Sequence, residues 1–175
     1  GPVHFSRAGF VQGGSSIELE ADHFASGLLM PTRLTRDALF KAPIGLAGVQ
    51  HLATVAEASL TAAAIRTAEC APYPVAIVVS ERDQVSYGFL SESFKKLGRL
   101  RLLRKGDGLP HTGTRNFNAV ADNIRLGRSA CSQSTLAEWF GGPAGIMLDE
   151  EVIGLGTYGY TLTVLSSEAL TNDPD

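Results

Sequence analysis

The sequence predicts an α+β protein in which helices come first and an antiparallel β-sheet follows. Two observations predict this class: apolar residues recur at helical spacing within residues 17–70, and runs rich in β-branched residues follow Pro72 and Pro74. With 175 residues, 44% of them apolar, the chain is long enough to bury a hydrophobic core of its own. We therefore predict a helical part over 1–70 and an α+β part over 71–175.

The helical elements are predicted from apolar spacing and from residues that begin or end helices. Helices are predicted over residues 17–30, 35–40, 46–57 and 60–70. Pro31 ends the first of them, and Ser59 is placed to cap the amino terminus of the last.

The strands are predicted from β-branched runs and from alternation of polar with apolar residues. Strands are predicted over residues 75–79, 84–90, 99–103, 151–155 and 158–165. The turn residues 81–83 join the first two into a hairpin, and the strand at 99–103 would have one solvated face. Residues 104–118 are predicted as loop, and a short helix is predicted over 135–140.

Charge is distributed unevenly along the chain. Residues 1–83 carry a net charge of −2, residues 84–128 carry +6, and residues 129–175 carry −7 without a single Lys or Arg. We expect the acidic segment to compensate the basic one inside the folded protein, in preference to nucleic-acid binding. Two isolated cysteines, no signal-peptide pattern and no long apolar run predict a cytoplasmic protein without a membrane span.

The predicted helix 17–30 carries the most informative group of charged side chains. Glu18 and Asp22 are four residues apart and share one face of the helix, whereas Glu20 points elsewhere. Such a pair suits a metal ligand with an acceptor that orients a neighbouring ligand. Helix capping explains the same acids, because Ser15 and Glu18 have capping-box spacing and a first helical turn favours negative charge.

Residues 18–31, ELEADHFASGLLMP, resemble the E-x-x-A-N/D-x-F-A-x-x-L-L-M-P signature of the ImmA/IrrE family of zinc metallopeptidases. The segments SLTAAAIR at 59–66, PVAIVVS at 74–80 and EEVIGLGTYGYTLTVL at 150–165 are similar to the carboxy-terminal part of bacterial members. The resemblance implies that helices at the end of a zincin-like peptidase domain precede a GAF-like sensor domain. A small molecule would be the ligand of that GAF-like domain.

The resemblance also implies a chemistry. Family members hydrolyse a helix-turn-helix repressor, which switches on stress-response or mobile-element genes, and they use a zinc ion held by an H-E-x-x-H helix and a later glutamate. Carried onto this sequence, Glu18 is that third zinc ligand. Asp22 is its outer partner, which holds a ligand histidine.

This sequence departs from the family pattern because it contains no H-E-x-x-H, and no two of its four histidines lie within five residues of each other. We therefore expect the H-E-x-x-H helix to lie ahead of residue 3 in the intact protein. In this chain we expect no catalytic residue, no stoichiometric zinc and no peptidase activity. The alternative is a non-enzymatic ligand-sensing domain of a transcription regulator.

Four further features have structural explanations that we favour. The helix pair 46–57 and 60–70 offers only Arg66 as a cation on its second helix, too few for reading DNA. The glycines at 154, 156 and 159 fit a G-x-G-x-x-G pattern, but a strand follows them in place of a helix. The six cations within 95–105 suit a solvated face as well as an anionic partner, and His23, His51 and His111 are interpreted as surface or filler residues.

Overall fold

The computed structural model describes residues 30–171, which form helices and a five-stranded antiparallel sheet. The predicted α+β class is thus confirmed. The helices are α1 (Thr32–Phe40), α2 (Leu46–Ala56), α3 (Leu60–Cys70), α4 (Glu92–Lys95), α5 (Gly113–Asn118), α6 (Ala121–Arg125), α7 (Leu136–Phe140) and α8 (Glu168–Thr171). The strands are β1 (Val75–Glu81), β2 (Gln84–Leu90), β3 (Ser129–Thr135), β4 (Met147–Gly154) and β5 (Thr161–Ser166), and they lie in the order β2-β1-β5-β4-β3.

Helices cover both faces of the sheet. Helices α1 to α3 lie on one face, which we call the helical-layer face, and the shorter helices α4 to α7 lie on the other, which we call the short-helix face. Alternate residues of each strand serve the two faces: Ile77 packs under the helical layer, whereas Val78 packs under α4 and α7. Helices and sheet therefore share continuous apolar contacts across residue 70, and the predicted division there stays a prediction.

The helical layer closely matches the sequence prediction. Ser59 caps α3 by accepting a hydrogen bond from the Ala62 amide at 3.0 Å, as predicted. Helix α1 begins at Thr32, three residues earlier than predicted, directly after Pro31. The predicted helix 17–30 lies outside the described residues except for Met30, which is not helical.

The strand prediction at 99–103 is wrong. This segment is irregular, and its Arg101 amide donates to the Phe140 carbonyl at the end of α7. The alternating leucines do not mark a buried strand face: Leu100 is only partly buried and Leu102 is exposed, whereas Leu103, which breaks the alternation, is buried in the apolar cluster beneath the short helices. The free edge of β2 is occupied instead by the next segment, residues 104–109.

Among the elements that the sequence prediction missed are a helix and a strand in the second half of the chain. Residues 113–118 were predicted as loop but form α5, and 129–135 form β3 although no strand was predicted there. Strand β4 also begins at Met147, four residues before the predicted start, and a 3₁₀ turn at Thr157–Gly159 separates it from β5. The short helix predicted over 135–140 is confirmed as α7, which Thr135 and Glu138 cap as a capping box.

The expected compensation of the basic segment by the acidic one stays a prediction, because the ion pairs within residues 30–171 do not join the two segments. Within residues 30–171 the ion pairs formed by residues 84–128 use acids at 83–122, as in Arg101 with Asp107 and Arg115 with Asp83, both at 3.9 Å. Acids of the negative segment 129–171 take no part in those pairs. None of the helices in the described part of the chain is long and apolar enough to cross a bilayer.

Helix α6 and β4 approach each other so closely at Gly154 that a side chain would collide with backbone. A Cβ built at Gly154 would meet the Asn123 carbonyl and would lie 2.6 Å from the Ile124 Cα. Only glycine therefore fits at this position.

We expect Gly154→Ala to lower the free energy of unfolding by about 1–3 kcal/mol, because the backbone of α6 or β4 must shift to admit the methyl group. Urea denaturation followed by circular dichroism measures the change. The control is Gly108→Ala, because a Cβ there meets no atom within 4 Å. Equal stabilities of the two variants would contradict the close approach.

Candidate functional site

The residues predicted for zinc binding, Glu18 and Asp22, lie outside the described part of the chain, so the structure does not test them. His4 and His23 lie outside it as well. The two remaining histidines lie in different elements. His51 is half-buried on α2, and His111 is exposed in the loop before α5. Residues 30–171 bring no three His, Cys, Asp or Glu side chains together in a way that could hold a metal ion.

The cation of the helix pair is not available to a nucleic acid. Arg66 on α3 is only 8% exposed. Its Nε donates to the Met30 carbonyl at 2.9 Å, and its other nitrogens contact Glu69 and the Thr32 hydroxyl, each at 3.2 Å. Arg66 therefore ties α3 to the chain that enters α1, which agrees with the prediction that this pair does not read DNA.

The glycine pattern at 154, 156 and 159 lies in a turn between two strands. Gly154 ends β4, Gly156 precedes the 3₁₀ turn, and β5 begins at Thr161. A phosphate-binding loop needs a helix whose amino terminus points at the phosphate, and here a strand follows. The structural interpretation of these glycines is thus confirmed.

The most unusual group in the described residues is a buried carboxylate on β4. Glu150 has no exposed surface, and both of its carboxylate oxygens accept hydrogen bonds. Oε2 accepts from the Thr112 hydroxyl at 2.8 Å, and from the Thr114 amide and hydroxyl at 2.6 Å each. Oε1 accepts from the Trp139 indole N–H at 3.1 Å. All four donors are neutral, and together they give both carboxylate oxygens hydrogen-bond partners.

The hydrogen bonds continue from Glu150 across the short-helix face. The Thr114 hydroxyl donates to Glu150, so at 3.0 Å it accepts from the Thr163 hydroxyl on β5. Further along the same face, the Asn118 amide nitrogen donates to the Ser80 hydroxyl at 3.0 Å, and its oxygen accepts from the Thr161 hydroxyl at 2.6 Å. We call these residues the polar network; they are Ser80, Thr112, Thr114, Asn118, Trp139, Glu150, Thr161 and Thr163.

The polar network places α5 on the sheet. Helix α5 is six residues long and contains Gly113, Asn116 and Asn118, which are poor helix formers. Its first turn is held by the bonds from Thr112 and Thr114 to Glu150, and its last residue by the bonds of Asn118. The Glu150 carboxylate therefore positions α5, and each of its oxygens has hydrogen-bond donors within the protein.

Sequence reasoning missed this network because its polar residues imitate a solvated strand face. Thr161 and Thr163 alternate with Leu162 and Val164, a pattern that normally indicates one face in water. Both threonines are instead fully buried. No single residue of this set has a sequence signature. The available signal was a pair of threonines that alternate with apolar residues in β5.

The other face of β3 and β4 forms an open acidic groove of about 490 Å³. Its lining includes Cys131, Gln133, Asp149, Glu151 and Glu168. Glu151 connects β4 to the helical layer, because its Oε1 accepts a hydrogen bond from the Leu46 amide at the start of α2, at 3.0 Å. The groove has room for a small molecule and presents carboxylates to it.

The two cysteines have different environments. Cys131 is exposed in the groove, whereas Cys70 is buried at the end of α3. Burial raises the pKa of the Cys70 thiol above its usual value, against the opposing effect of the nearby Arg66. Cys131 is therefore the accessible thiol of the two.

Comparison with known proteins adds no relative. No protein-family model matches the chain, and no curated protein shows significant similarity to it. The ImmA/IrrE resemblance of residues 18–31 therefore stays a hypothesis drawn from the motif itself.

We expect Glu150→Gln to lower the free energy of unfolding by about 2–4 kcal/mol, because the amide NH₂ must face either the Trp139 N–H or the donors of Thr112 and Thr114. Thermal or urea unfolding of the purified variant measures this. The adjacent Glu151→Gln is the matched control: it keeps an acceptor for the Leu46 amide, so we expect a change below about 1 kcal/mol. Similar losses in both variants would contradict a special role for Glu150.

Proposed function

We propose that this chain is part of an ImmA/IrrE-like zinc endopeptidase that regulates stress or mobile-element genes by cleaving a helix-turn-helix repressor. The observation that carries the proposal is the near position-for-position match of residues 18–31 to the family signature. In this proposal Glu18 is a zinc ligand and Asp22 orients a ligand histidine.

The α+β part is proposed to be a GAF-like sensor domain that controls the peptidase. Its support is the fold of residues 30–171, an antiparallel sheet between two helical layers, with an open groove on β3 and β4. On the opposite face of β4, the Glu150 carboxylate connects that strand to the start of α5 and to α7. A small molecule bound there is the proposed signal.

The described residues do not themselves fit a zinc ion. Residues 30–171 lack a suitable group of ligands, and the whole sequence lacks H-E-x-x-H, so Glu18 could contribute only one protein ligand of the three that a catalytic zinc needs. No catalytic step is therefore assigned to residues of this chain. Hydrolysis would require an H-E-x-x-H helix, which this sequence does not contain.

We expect the 175-residue chain, purified without chelators, to contain far less than one zinc per molecule, because a single carboxylate holds zinc weakly. Inductively coupled plasma mass spectrometry measures the content. Glu18→Ala serves as the control and should show the same low value. A tight 1:1 zinc in the wild-type chain would refute the expectation.

We expect the intact protein to cleave its repressor, and Glu18→Ala to reduce the rate by about 100-fold or more through loss of a zinc ligand. Asp22→Ala should reduce it by about 10–100-fold, as removal of an outer partner of a metal ligand does. Mass spectrometry of a candidate repressor incubated with each variant measures the products. Glu20→Ala is the control, because Glu20 points away from Glu18 and Asp22 in the predicted helix 17–30. Equal cleavage by wild type and Glu18→Ala would refute the ligand role.

A non-enzymatic sensor domain of a transcription regulator is the second candidate. The groove favours it, because it gives the described residues a concave surface of ligand size and needs no metal. The sequence of the intact protein separates the two candidates: H-E-x-x-H ahead of residue 3 supports the peptidase, and a DNA-binding domain in that place supports the regulator.

A further inference from the structure

The two edges of the sheet differ in whether another segment covers them. The edge of β2 is covered by residues 104–109: the Val85 amide donates to the Asp107 carbonyl at 2.8 Å, and the Gly106 amide donates to the Val85 carbonyl at 2.9 Å. At the other end of the sheet, β3 has a neighbour on one side only. Its residues 129–133 are all exposed.

The backbone groups that β3 leaves open can be identified from its register with β4. The Arg128 carbonyl accepts from the Gly154 amide and the Leu136 amide donates to the Ile146 carbonyl, each at 2.9 Å. In an antiparallel pair, even-numbered residues of β3 therefore bond to β4 and odd-numbered residues point away from it. The N–H and C=O groups of Ser129, Cys131 and Gln133 thus face outwards, and no other segment within residues 30–171 pairs with them.

Strand β3 also lacks the features by which proteins usually block a free edge. Its sequence SACSQST contains no charge and no proline. Its register with β4 runs without a shift over seven residue pairs, so no bulge bends it away. A straight, uncharged and exposed edge strand is a template for pairing with another strand.

We propose that β3 pairs with β3 of a second copy of this chain, antiparallel and about a two-fold axis, so that two five-stranded sheets become one of ten strands. A symmetric antiparallel pair places each strand opposite itself, which costs nothing electrostatically when the strand is uncharged. This proposal does not depend on the proposed function.

Charge at the two ends of β3 favours a second copy as the partner. Exposed Arg128 lies just before the strand and exposed Glu138 lies in the helix that follows it. Antiparallel pairing brings the start of one strand beside the end of the other. Arg128 of each copy therefore approaches Glu138 of the other, and the axis repeats this favourable contact twice.

Two registers satisfy the outward-facing backbone groups. The two-fold axis passes either through Cys131, which then faces its own copy, or through Ser132, which sets Cys131 opposite Gln133. The Cα atoms of the two Cys131 residues are then about 5.5 Å or about 7–8 Å apart. Both registers keep the two accessible thiols within reach of a short cross-linker.

The first test is analytical ultracentrifugation of the 175-residue chain over a range of concentrations. We expect a weak dimer, since one pair of seven-residue strands buries a small area. Gln133→Pro removes an outward N–H and leaves the bonds to β4 intact, so it should weaken dimerisation by about tenfold or more. Gln133→Ala, which keeps that N–H, is the matched control and should dimerise like wild type.

A second test locates the interface and does not depend on a proline variant folding. A short bis-maleimide should cross-link wild type through Cys131 into a covalent dimer, and Cys131→Ser should abolish this product, because Cys70 is buried. Arg128→Glu should weaken dimerisation by about three- to tenfold, and Lys105→Glu, the same charge change beside the covered edge, should not.

Several results would overturn the proposal. A wild-type chain that stays monomeric at the highest concentration would overturn it. That result is expected if another segment of the same chain occupies the edge of β3. Dimerisation without cross-linking at Cys131 would place the interface elsewhere. Equal dimerisation of wild type, Arg128→Glu and a folded Gln133→Pro would exclude β3 as the contact.

Discussion

The arrangement of the short helices depends on one buried carboxylate. Glu150 lies on β4, between β5 and β3. Its oxygens accept hydrogen bonds from the segment that begins α5 and from Trp139 on α7. A charged group without water is costly to bury unless its hydrogen bonds are complete. The cost is met here only when both helices lie in their observed positions, so a single side chain couples β4, α5 and α7.

The two faces of the sheet are stabilised in different ways. Under the helical layer, the cluster that includes Val49, Ile65 and Ile77 is apolar and tolerates small changes in orientation. On the short-helix face, apolar contacts around Phe94 and Trp139 give way to the polar network beneath α5. Hydrogen bonds are directional, so this face accepts one placement of α5 only.

Sequence reasoning succeeded where local signals decide the structure. Ser59 before α3 and the β-branched run of β1 are such signals, and they gave the helix pair, the hairpin and the α+β class. It failed for β3 and α5, whose polar residues carry no period and are ordered by β4 and Glu150. The prediction at 99–103 failed for another reason, because its alternating leucines, Leu100 and Leu102, do not form a buried strand face. The polar network could not be predicted, since it joins residues up to 49 positions apart.

The segment that covers β2 limits how far the sheet can grow. A sheet with two bare edges can recruit strands at both ends, and repeated addition then produces a fibre. Here residues 104–109 occupy one end, so growth has one direction and a single partner strand exhausts it. An exposed strand that would otherwise be an aggregation hazard is confined to a closed, countable assembly.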